Sequence, residues 1–145
     1  MNKILILILI CFCSNNLFSQ SKSDAILGKW ASEKGNLVLE IYKTNNSEYK
    51  AKSIQHNSKN PKDEWKDINN PDPDLRNRNL LGIDVLTQMH YDPDSDKWVD
   101  GIIYDATSGK SWEAVAWLDN PNQLRVKGFW MLKLFSKTVS FKRVK

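Results

Sequence analysis

Beyond residue 20 the chain has no cysteine; its two thiols, Cys11 and Cys13, both fall near the start. Without them the body of the protein makes no disulfide and no thiolate metal site, so an ordinary hydrophobic core must hold it together. Apolar runs are also scarce. The longest, Ile4 to Cys13, is ten residues, against the roughly twenty that a helical membrane span needs. Histidine occurs twice, as His56 and His90. There is no Gly-x-Ser-x-Gly elbow, no zinc-type histidine pair and no glycine-rich phosphate loop. The sequence therefore gives no grounds for a cofactor, a metal site or a catalytic residue.

What the N-terminus does have is an export pattern. Lys3 precedes the apolar run, polar Ser14 to Asn16 follow it, and Leu17 to Gln20 lead into charge-rich Ser21 to Asp24. A basic start, a short apolar core and a small-residue exit make a secretory signal. The reading is a signal peptide over 1–20, one domain over 21–145, and a periplasmic or secreted protein. A buried first strand fits poorly, because the run has no polar face. A lipid anchor fits poorly too, because Ile10 and Phe12, not small residues, precede the two cysteines.

Removing the leader takes away one lysine and no acid, lowering the net charge from +4 to +3. The remaining 125 residues suit a single domain. Basic residues near the C-terminus, such as Arg125, Lys127 and Lys142, alternate with apolar ones, as on the solvent face of a strand. Nucleic acid is not an expected partner, nor is a membrane span expected after cleavage, and the chain reads as a monomer.

The dominant period is two. Leu37, Leu39 and Ile41 alternate with polar neighbours; Leu81, Ile83, Val85, Thr87 and Met89 form the longest stripe; Leu124, Val126 and Gly128 form another. Strand centres fall near Lys29, Leu39, Ala51, Val85, Gly101, Val115, Val126 and Val139, with Gly-, Asn- and Asp-rich turns between them. The expected fold is all-β, an eight-stranded antiparallel up-and-down barrel. The turn Asp92-Pro93-Asp94-Ser95-Asp96 looks like the opening of a calcium loop. Lys97 stands at its sixth position and Ile103 at its twelfth, so a solvated hairpin turn is the better reading.

The stretch from Asn57 to Asn79 breaks the meander. It is polar apart from Trp65, and long enough to be a functional loop. Asp72 followed by Pro73 and Asp74 predicts a short helical turn over Pro73 to Arg76. That turn would bring Arg76 and Arg78 to the entry of the next strand.

Gly28-Lys29-Trp30 at the start of the first strand, with Arg143 on the last, resembles the lipocalin signature. In a closed barrel those strands are neighbours, so Gly28, Trp30 and Arg143 are assigned to barrel closure, with the guanidinium across the indole. A longer resemblance covers nearly the whole chain after the leader. It is carried by Ile26 to Trp30, Asn69 to Arg78 with Leu80 to Gly82, Gly101 to Asp105, and Ser108 to Lys110. These are similar to the bacterial domain-of-unknown-function 2147 family. The resemblance implies small exported barrels with no assigned functional residues. Ser136 departs from it, since a glycine is expected there.

Three functional readings follow. The first is binding of a hydrophobic or amphipathic small molecule, such as a lipid, along the inward stripe (Leu39, Ile83, Val85, Val126 and Val139). The second is a protein- or glycan-binding envelope module that grips with Trp65, Asp72, Arg76 and Arg78 on the 57–79 loop and rim. The third is a small exported hydrolase using Asp72 and Asp74. The interior volume discriminates, because a filled barrel moves function to the surface.

Overall fold

The computed structural model describes residues 21–56, 65–130 and 134–145. The proposed leader and the first part of the long connection, 57–64, lie outside the described residues. Eight strands follow in chain order: β1 (Gly28–Ser32), β2 (Leu37–Lys43), β3 (Tyr49–His56), β4 (Asp84–Asp92), β5 (Lys97–Asp105), β6 (Lys110–Asn120), β7 (Gln123–Trp130) and β8 (Phe135–Val144). Each pairs antiparallel with the next and β8 returns to β1, so the sheet closes into the barrel the period-two pattern predicts. Closure leaves no unpaired sheet edge among the described strands to template aggregation. Opposite Ser136 the β7–β8 ladder stays regular, with Phe129 paired to Ser136 and Trp130 to Phe135.

The long stripe read across β4 is corrected by the structure. The inward residues there are Leu86 and Met89, three positions apart, because Gln88 has a left-handed backbone (φ 63) and adds a bulge. β5 does the same at Asp100 (φ 59), so that Trp98 and Gly101 both face the interior. The two irregularities match. Thr87 pairs with Ile102 before them and His90 with Val99 after them, three positions further along each strand. Gly101 is required where the two cross, since a Cβ there would stand 2.8 Å from Met89 Cγ.

One pole of the barrel is packed solid. Trp30, Trp98, Tyr49, Ile26 and Met89 are buried there. Burying a side chain of this size stabilises by roughly 3 kcal/mol. The segment before β1 forms a 3-10 turn, Lys22–Asp24, that caps this pole. Trp98 donates to the Ser23 carbonyl, Trp30 to the Ile26 carbonyl, and Tyr49 and Lys43 to the Asp24 carboxylate. The Lys43 bond, followed by that from Tyr49, holds the Asp24 carboxyl below its ordinary range. Arg143 closes the seam, with its guanidinium 4.1 Å from the Trp30 ring centroid and donating to the carbonyls of Ala25, Leu27 and Pro121. In the β4–β5 turn, Asp92 accepts from the Asp94 amide and the Ser95 hydroxyl, while Asp96 accepts from Tyr91 and Lys22.

Candidate functional site

The other pole is not filled. Above the plug the barrel opens into a cavity of about 500 Å³. Its deepest lining residues, Leu39, Leu86, Val126 and Phe141, are each less than 5% exposed, and Leu37, Val85, Ile103 and Val139 continue the apolar wall toward the mouth. Alternation on the strands accounts for all of these except Val85, which is adjacent to inward Leu86 on β4. Its polar lining comes from Ser53, His56 and Tyr104 on the wall, Asp105 and Thr107 at the β5–β6 turn, and Lys66 and Asn69 on the segment after Trp65. An apolar chamber with a few polar groups at one end is the usual make-up of a small-molecule site.

The mouth is covered by the segment from Trp65 to Leu80. Its two limbs pair, Asp67 N–H donating to the Arg78 carbonyl and Leu80 N–H to the Trp65 carbonyl, with a bridge between Lys66 and Asn79. Asp67 is fully buried. Its carboxylate accepts from the Tyr104 hydroxyl (2.5 Å), from Asn70 Nδ2 (2.7 Å) and from Arg78 Nε (2.8 Å), with a second Arg78 nitrogen at 2.7 Å. Burial alone would push this carboxyl up, but the bonds from Tyr104, Asn70 and Arg78, with the arginine charge, outweigh it and hold it below its ordinary range. Tyr104 is raised in turn, by burial and then by Asp67. Because Tyr104 sits on β5, this cluster latches the lid to the barrel wall. Two further ties secure it: Ser53 on β3 donates its hydroxyl to the Leu80 carbonyl, and Asn69 donates to the Thr107 carbonyl in the β5–β6 turn.

The residues singled out from sequence separate into two sets. Trp65, Val85 and Val126 line the cavity; Ile83, Asp72, Arg76 and Arg78 do not. Ile83 lies just before β4, where its carbonyl accepts from the Ser53 amide. Asp72 caps a 3-10 turn over Pro73–Leu75, accepting from the Asp74 amide, with Arg76 at its C-cap. Arg76 donates to the Asn70 carbonyl and Arg78 binds Asp67, so both guanidinium groups hold the lid itself. Gly28, Trp30 and Arg143 meet at the seam, where Gly28 (φ 117) leaves Arg143 its room. The sequence reading missed Asp67, Asn70 and Tyr104, the core of the latch. It also missed His56 and Lys66 as lining groups. The signal that could have found Asp67 is its place between Trp65 and Ile68 in an otherwise polar stretch.

A closed eight-stranded meander with a sealed pole, a Trp–Arg seam and a lidded apolar chamber is a lipocalin-like barrel. Among solved structures, Protein HP1028 from the human pathogen Helicobacter pylori, described as belonging to the lipocalin family, is similar with a TM-score of 0.69, at 20% sequence identity and covering 82% of each chain. At that identity the likeness carries the fold alone. The chain belongs to the family described as "uncharacterized protein conserved in bacteria (DUF2147)", which matches residues 28–143. No curated protein matches it.

Proposed function

We propose that this protein binds a hydrophobic or amphipathic small molecule inside its barrel, as an exported carrier or scavenger in the periplasm or outside the cell. The observation that carries the reading is the unfilled half of the interior. A chamber of about 500 Å³ walled by Leu39, Leu86, Val126 and Phe141 stands over a packed plug. That volume falls within the range of roughly 300–1,000 Å³ typical of ligand pockets. Surface recognition through the lid has less support, because Arg76 and Arg78 are both committed to holding the lid together.

The test is native mass spectrometry of protein expressed with its leader, followed by lipid extraction and displacement of a neutral fluorescent probe, N-phenylnaphthylamine. A co-purifying amphiphile, or saturable probe binding that Val126→Trp abolishes while the fold is kept, supports the reading. No cargo and no probe binding in the native protein would overturn it. N-terminal sequencing of the protein from the cell envelope and the medium tests export, with a new terminus near Ser21 expected.

A further inference from the structure

The polar end of the cavity offers a ligand one kind of partner. Most polar side chains lining it are already committed to the protein. The Ser53 hydroxyl donates to the Leu80 carbonyl, the Tyr104 hydroxyl to Asp67, and the Asn69 amide to the Thr107 carbonyl. The one lining carboxylate, Asp105, accepts from the Thr107 amide and the Ser108 hydroxyl of its own turn. Trp65 and Thr107 add only a neutral indole N–H and a hydroxyl, which leaves the Lys66 ammonium and the His56 imidazole as the lining bases. Neither side chain has a hydrogen-bond or ion-pair partner among the described residues. An ammonium provides three donors and repels a cationic head, and an imidazole adds at least one donor. Both come from the elements that frame the entrance, His56 ending β3 and Lys66 opening the lid.

Resting on the reading that the chamber holds a small molecule, we infer that the ligand is a single-chain amphiphile with an anionic head, a carboxylate or a phosphate monoester. The head sits at the mouth against Lys66 and His56, and the chain runs down toward Val126 and Phe141. Volume sets the chain count. At roughly 30 Å³ per heavy atom, the share of a water molecule in the liquid, a cavity of about 500 Å³ holds about seventeen heavy atoms. One chain of intermediate length fits and a second does not. Charge sets the head, because a charge-assisted hydrogen bond is about twice as strong as a neutral one.

Competition against bound N-phenylnaphthylamine tests this with four ligands: tetradecanoate, tetradecanol, dodecyl phosphate and tetradecyltrimethylammonium. We expect tetradecanoate or dodecyl phosphate to bind about tenfold more tightly than the alcohol. Lys66→Gln should erase the difference between acid and alcohol, and Lys66→Glu should reverse it. The stronger of the two anions identifies the head. Equal binding of acid and alcohol, or preference for the cationic ligand, overturns the inference and leaves the cavity reading standing. Failure of the probe and all four ligands to bind overturns both.

Discussion

Arg143 on β8 sits directly opposite Trp30 on β1, its guanidinium carbon 4.1 Å from the indole centroid. This pair lies in the four-position ladder that joins the first strand to the last. Three carbonyls from two separate segments, Ala25 and Leu27 before or at the start of the barrel and Pro121 from the β6–β7 turn, converge on the same guanidinium. Burial lowers the pKa of this arginine, and the bonds compensate for its desolvation.

Arg143→Ala is expected to destabilise the protein by about 2–4 kcal/mol, the range for loss of a partly buried polar network with a cation–π contact. Arg143→Lys should recover less than half of that, since an ammonium cannot stack flat and reach three carbonyls at once. Denaturant midpoints for the three proteins check this. Equal stability of Ala and native chains would remove the seam as a closure device.

The lid latch is sensitive to acid. Asp67 is held below its ordinary carboxyl range in the folded state, so its stabilising effect is complete above that range and is lost as pH falls through the lowered value. Protection factors at the Asp67, Asn70 and Leu80 amides, corrected for the intrinsic exchange rate at each pH, should therefore fall on acidification. Asp67→Asn should raise exchange there at neutral pH by an amount corresponding to about 1–3 kcal/mol, and flatten the pH dependence.

Gly109 is where the lid meets the β5–β6 turn. Its φ is 68°, and a Cβ there would lie 1.8 Å from the Asn69 carbonyl oxygen. Gly109→Ala must push that part of the lid away, at a cost of about 1–3 kcal/mol. The expected signature is local: faster exchange of lid amides and faster release of bound probe, with the β1–β8 seam unchanged.

Two tyrosines report alkaline stability. Tyr42 is raised to about 12 by burial and then by its hydrogen bond to Asp84, and Tyr91 to about 12 by its bond to Asp96 and then by burial. Phenolate absorbance should show both ionising near 12 and not at the ordinary value near 10. Their contribution to stability is present below 10 and declines as pH rises toward 12. Tyr91→Phe should remove its share of that decline.

The barrel could be read from the sequence because a closed meander repeats one simple rule, apolar inward and polar outward, strand after strand. Trp30 and Arg143 could be paired because closure makes the end strands neighbours whatever lies between them. The bulges at Gln88 and Asp100 could not be read, since neither residue is a glycine that announces a left-handed backbone. Missing them shifted the β4 stripe, placing Ile83 inside where Leu86 belongs. The lid failed for a different reason. Arg76 and Arg78 were seen as charged residues on a loop, but sequence spacing does not say which carboxylate an arginine will meet. The one that Arg78 meets, Asp67, lies across a turn eleven residues back, and its other partner Tyr104 is on a distant strand.

The solid pole also fixes traffic. Since Lys145 follows directly on the β1–β8 seam and Ser21 precedes the cap, a tag or fusion at Lys145, or at Ser21 once a leader were removed, attaches at the packed pole. The lidded apolar cavity opens at the opposite pole, so on the proposed reading a ligand would enter and leave on the side away from such an attachment.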